Sequence, residues 1–297
     1  MRLHPILLFL LLGLSPASSQ PPPATNAPAQ TKAPLRALPV NPATTNALPR
    51  ALPVNPADLN AAAAPMPVAG GVNVHWYGHG FVYLTSSVGI RCAIDPFGPE
   101  TVHYKFPAHL AADFVLVTHE AEDHCAADLI FGNPLIFRSV MAAGLNRANG
   151  IPFYGVGLQK DPTGQGGANT AFTLTFDGVK FCYLGQISLP LLAQEREELG
   201  HADVVFLPVG LETLSVNDFN QIVKDLGATM VIPINYKTDL SGIVPLRTLD
   251  EYLLATKFPV RKVNSDEIVV SRGMLPAEPT VYVLKSPTEV APPRPPQ

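Results

Sequence analysis

From Val72 onward the apolar residues fall into short blocks whose spacing predicts strands more often than helices. Residues 72–77, 81–85 and 89–95 are apolar or alternating, and the turn formers Gly78-His79-Gly80 and Ser86-Ser87 separate them, which predicts three consecutive short strands. Residues 114–117 are unbroken Phe-Val-Leu-Val, the pattern of a strand covered on both faces. Further strands are expected at 171–176, 179–184, 204–207, 230–234, 268–270 and 280–284. Helices are expected at 126–130, 191–199, 216–226 and 248–255. The helix at 191–199 carries Glu195, Arg196, Glu197 and Glu198, which predicts a mostly solvated face. Strand-rich stretches alternating with helices, several of them apolar on both faces, indicate an α/β protein with sheets covered by helices.

The ends of the chain differ from this middle. Fourteen of the 32 prolines lie in residues 1–70, and six more lie between Pro279 and Pro296. Residues 1–19 read as a secretory signal: a basic start at Arg2, an apolar run from Ile6 to Leu14 too short to span a bilayer, and small residues at Ala17-Ser18-Ser19. Residues 20–71 read as a Pro/Ala-rich linker in which Arg36-Ala37-Leu38-Pro39-Val40-Asn41-Pro42-Ala43 recurs unchanged from Arg50 to Ala57. Two copies cannot build a solenoid, and proline, which fixes φ and lacks a donor, favours an extended tether. Residues 72–286 form the expected folded domain, and residues 287–297 a Pro-rich tail.

Composition narrows the function classes. The chain is 47% hydrophobic and 15% charged with a formal net charge of −4, so no basic face for nucleic acid is expected. No segment after the signal is long and apolar enough to span a membrane, and the expectation is an exported protein, periplasmic or secreted. Cys92, Cys125 and Cys182 allow one internal bridge at most, and the sequence leaves the pairing open.

The densest chemistry lies in Asp113-Phe114-Val115-Leu116-Val117-Thr118-His119-Glu120-Ala121-Glu122-Asp123-His124. A buried strand runs directly into a polar loop with two histidines and an aspartate, the way rigid scaffolds present metal ligands. An ordinary polar turn accounts for the same residues equally well.

Here the chain resembles the metallo-β-lactamase superfamily, in particular its branch similar to ascorbate-6-phosphate lactonases. The resemblance rests on the joint order of Trp76-Tyr77-Gly78-His79-Gly80-Phe81, Ile94-Asp95-Pro96-Phe97, Leu116-Val117-Thr118-His119, Gly167-Ala168-Asn169-Thr170-Ala171-Phe172, Tyr183-Leu184-Gly185, Leu207-Pro208-Val209-Gly210 and Val231-Ile232-Pro233. It implies an αββα four-layer sandwich with two metals at the sheet edges. It also implies seven ligand positions, of which His119, Asp123 and His124 are retained. Ala121, Lys160, Gln186 and Asn235 stand at the other four, where the family has histidine, histidine, aspartate and histidine. One metal keeps a single ligand and the other keeps two, whereas a catalytic zinc needs about three protein ligands and an open position. The exchanges at Lys160 and Gln186 move the pocket two charge units in the cationic direction, against holding dications. Lys160 is expected to pair with Asp123 in place of the lost metals. By the same resemblance His79 and Asp95 belong to the pocket, His79 lining it and Asp95 orienting a loop. A turn histidine satisfied by backbone groups is the competing view of His79.

Three functions remain open at this stage. The first is a non-catalytic binding protein that holds an unidentified small molecule or protein in the former active-site cleft and needs no cofactor. The second is a hydrolase of lactone, phosphodiester or amide bonds with one rebuilt zinc or manganese site, drawing on Asp123, His124 and a substitute ligand such as Cys125 or Glu122. The third is an interaction module acting through its Pro-rich tails.

Overall fold

The computed structural model describes residues 70–159 and 167–287; the expected signal, all but the last two residues of the expected linker, all but the first residue of the expected tail, and Lys160 lie outside them. Two β-sheets face each other. The first has six strands in the order β13-β1-β2-β3-β4-β5, formed by β1 (Val72–Gly78), β2 (Phe81–Thr85), β3 (Arg91–Ile94), β4 (Phe114–Val117), β5 (Leu135–Arg138) and β13 (Glu267–Val270). The second has eight, in the order β12-β14-β11-β10-β9-β8-β7-β6. Its strands are β6 (Gly144–Ala148), β7 (Ile151–Leu158), β8 (Asn169–Phe176), β9 (Val179–Tyr183), β10 (Val204–Pro208), β11 (Met230–Ile234), β12 (Val260–Lys262) and β14 (Thr280–Val283). Helices α1 (Ala193–Leu199), α2 (Val216–Asp225) and α3 (Leu249–Ala255) follow β9, β10 and β11.

Alternation along the strands of the first sheet divides their side chains between two cores. Val82, Leu84, Cys92, Ile94, Phe114 and Leu116 enter the core between the sheets, while Phe81, Tyr83, Ala93, Val115 and Val117 enter a second cluster with Phe97, Val102 and Tyr104. This is why 114–117 reads as unbroken apolar: both faces are covered. The expected two-sheet α/β sandwich is present. The outer cover of the first sheet is irregular chain around residues 97–112 and a 3₁₀ turn at Ala127–Leu129, where the sequence predicted a helix over 126–130. Pro134 and Gly132 follow that apolar stretch too closely for a longer helix.

One further expectation changes. Glu195, expected on a solvated face, is 6% exposed; its carboxylate accepts Leu192 N–H at 2.7 Å and Gln159 N–H at 2.6 Å, tying α1 to the end of β7. The three cysteines are all free, with Cys92 and Cys182 fully buried. No helix among the described residues is long and apolar enough to cross a membrane.

Candidate metal centre and cleft

The residues that carry the chemistry gather at strand ends: the turn between β1 and β2 supplies His79, the end of β3 supplies Asp95, and the loop after β4 supplies Thr118 to His124. Gln186 follows β9 and Asn235 follows β11. Asp95 is buried, accepting Thr118 N–H at 2.7 Å and Thr118 Oγ1–H at 2.6 Å, so it orients the start of the histidine loop. Thr118 Oγ1 lies 2.8 Å from His119 Nδ1. Farther along that loop, Asp123 Oδ2 lies 2.9 Å from His79 Nε2. Asp123 Oδ1 is 3.1 Å from His124 Nδ1, an ion-pair distance without hydrogen-bond alignment. The His124 ring sits between the other two, with centroids 4.7 Å from His79 and 4.5 Å from His119.

Burial sets the protonation states. It lowers the His79 pKa to about 4 and that of His119 to about 3, so both rings are neutral at pH 7. For His124, burial acts downward too, but the Asp123 and Asp95 carboxylates outweigh it and raise the pKa. Asp123 is held well below the usual carboxylate range: its burial acts upward and is overcome by His124 and His79. Burial raises Asp95 to about 6, against the hydrogen bonds from Thr118. A neutral His79 bonded to a carboxylate that only accepts must carry its hydrogen on Nε2. Its Nδ1 is then bare, and no described group hydrogen-bonds to it.

Whether these residues suit the metals of the family follows from the donors present. Ala121 has no donor, and Gln186 and Asn235 offer amides, which bind zinc weakly, so the paired-metal centre does not fit. His79, Asp123 and His124 do place one ligand atom each within 4.8 Å of one another. That set has the donor types of a single zinc site, provided His79 gives up its bond to Asp123. His119, the first motif histidine, is not in this group. Its Nε2 is buried and without a partner.

His119 instead lines a cleft of about 850 Å³ shared with Glu120, Ala121, Arg138, Ser139, Val140, Met141, Gly167, Ala168 and Gln186. Arg138 donates to Glu120 Oε2 at 2.8 Å and to the Cys125 carbonyl at 3.3 Å, so its charge is already engaged. Glu122 is exposed, and Cys125 is a partly buried thiol whose pKa is raised, first by burial, which disfavours the thiolate a metal requires. The expected Lys160–Asp123 pair falls partly outside the described residues; within them, His79 and His124 flank Asp123.

Sequence reading missed the roles of Thr118, Arg138 and Asn169. Asn169 Nδ2 donates to Leu184 O at 2.9 Å and its Oδ1 accepts Gln186 N–H at 3.1 Å, holding the loop that carries Gln186. A threonine preceding the motif histidine was the available signal for Thr118; the Arg138–Glu120 pairing left none. The turn residue Gly80 is equally constrained, since a Cβ there would lie 2.7 Å from the His124 ring and 3.0 Å from Tyr183 Oη. Gly80→Ala is expected to lower stability by about 1–3 kcal/mol through overpacking, read as a reduced urea midpoint at unchanged m-value.

Residues 73–235 match the family described as the beta-lactamase superfamily domain. Among solved structures, the chain is similar to a candidate zinc-dependent hydrolase of the metallo-β-lactamase superfamily from Thermotoga maritima. The two share 26% identity at a TM-score of 0.59, over 72% of this chain and 98% of that one. It is also similar in fold to Igni18, a metallo hydrolase from Ignicoccus hospitalis KIN4/I, at 18% identity and a TM-score of 0.50, over 74% of this chain and 97% of that one. No curated protein matches the chain.

Proposed function

The chain belongs to the beta-lactamase superfamily, and from that premise we propose that it is a non-catalytic member whose cleft binds a small molecule. The observation that carries this reading is the replacement of metal donors by Ala121, Gln186 and Asn235, combined with a cluster whose charges balance internally through His79, Asp123 and His124. The cleft supports it by remaining open beside His119, with two of the altered positions, Ala121 and Gln186, in its wall. The domain works in an exported compartment, tethered by its N-terminal linker; the basis for both is the character of residues 1–71.

Metal analysis of protein purified without a histidine tag, followed by zinc and manganese titration, tests the proposal. Less than about a tenth of an equivalent is expected, because two of the three grouped donors, His79 and Asp123, are already bonded to each other. A second reading, a single-metal hydrolase, is favoured by the 4.8 Å grouping of His79, Asp123 and His124. Tight binding of about one equivalent of zinc, abolished by Asp123→Asn, would replace the first reading with this one.

A further inference from the structure

We propose that the ligand of the cleft is a neutral, largely apolar molecule bearing one hydroxyl or N–H group, and that this group donates a hydrogen bond to Nε2 of His119. The inference rests on the cleft-binding reading above and deepens it.

The hydrogen-bond chain fixes which His119 nitrogen is available. The Thr118 hydroxyl has one hydrogen, and it goes to Asp95 Oδ2 at 2.6 Å, since a carboxylate only accepts. Thr118 Oγ1 must therefore accept from His119 Nδ1–H at 2.8 Å. Nε2 is left as a lone-pair acceptor. It is buried in a residue only 3% exposed, and no described group satisfies it. A buried acceptor without a partner is destabilising, so a ligand that supplies the missing hydrogen recovers part of that cost.

The rest of the wall gives the ligand's character. Ala121, Ala168, Val140 and Met141 are apolar, and Val140 and Met141 stand 59% and 86% exposed at the cleft. Such side chains gain from contact with an apolar body. The guanidinium of Arg138 is neutralised by Glu120, so the described wall holds charge in balance and favours a neutral ligand over an anion. Gln186 and Ser139 add further polar side chains to the wall.

The test uses the full chain at pH 8 and three probes, 1-octanol, its methyl ether and octanoate, compared by calorimetric titration. Octanol is expected to bind about tenfold more tightly than the ether, the ratio that corresponds to about 1.4 kcal/mol. In His119→Phe, octanol should fall to the affinity of the ether while the ether is unchanged. Equal affinities for octanol and ether in the wild type would overturn the donor assignment and leave the cleft reading standing. Tighter binding of octanoate would overturn the neutral class. Failure of all three to bind would remove both the inference and the reading beneath it. The octanol-to-ether ratio is measured on the wild type, so the result does not depend on the variant folding.

Discussion

Restoring four side chains, as Ala121→His, Lys160→His, Gln186→Asp and Asn235→His together, is expected to raise zinc content from less than about a tenth of an equivalent to about two equivalents. The expectation follows from what the fold has kept. His119 still presents a buried, unpartnered Nε2. Asp95 and Thr118 still fix its ring, the kind of outer support that orients a metal-bound histidine. Asn235 has a φ of 50°, a left-handed conformation that histidine tolerates better than most residues, and its buried Oδ1 has no partner to lose. Fitting an imidazole there costs about 1–3 kcal/mol of overpacking, which bound zinc offsets by mass action. Zinc content by atomic emission, together with a rise in Tm on adding zinc, gives the readout. If the restored chain folds and still binds no zinc, these four side chains do not decide metal binding.

Between pH 6 and pH 4 the folded state is expected to lose about 3 kcal/mol, a slope of about 1.4 kcal/mol per pH unit. The sign comes from counting protons. The unfolded chain protonates His79 and His119 near 6.5, whereas the folded chain resists until about 4 and about 3, so both withdraw stability as pH falls. Asp95 works the other way: folded, it takes a proton near 6, and unfolded only near its ordinary 3.8, so it returns stability over the same window. Two protons against one leave the net slope. His124, whose pKa is raised, contributes stability that is complete below 6.5 and fades as pH climbs past its folded value. Asp123, whose pKa is lowered, holds its contribution above 3.8 and yields it below. Urea midpoints at pH 7, 6, 5 and 4 check the curve. A midpoint independent of pH over that range would mean the two histidines are not buried neutral.

Much of this molecule could be read from its residues, and the unread parts have physical causes. The unbroken run at 114–117 announced a strand covered on both faces, and residues 204–207 and 230–234 announced strands β10 and β11, which the fold pairs in parallel. The strands not anticipated were β5, β6, β7 and β12. Three of these, β5, β6 and β12, are sheet edges; β6 and β12 carry few large apolar side chains, whereas β5 holds the short apolar run Leu135-Ile136-Phe137 directly after Pro134, which the sequence reading passed over. The fourth, β7, contains Pro152, Gly155 and Gly157, residues that normally argue against a strand. Glu195 was misplaced because a carboxylate in a charged helix reads as solvated, and only the fold reveals the two amides it must satisfy. At the site, the sequence pointed to the loop with His119, Asp123 and His124, which does lie at the end of β4. The bond from His79 to Asp123 was not visible there, because it joins residues 44 positions apart.

The free cysteines bear on how this domain meets an oxidant. Cys92 and Cys182 lie on strands of opposite sheets, both fully enclosed, and burial pushes their thiols upward in pKa, that of Cys182 to about 12. Packing does here what cross-linking does in small secreted folds. The native fold can be reached without any oxidase or isomerase, and reagents that attack sulfur must wait for the sandwich to part. The pace at which these two thiols react is therefore a clock for how often the domain comes undone.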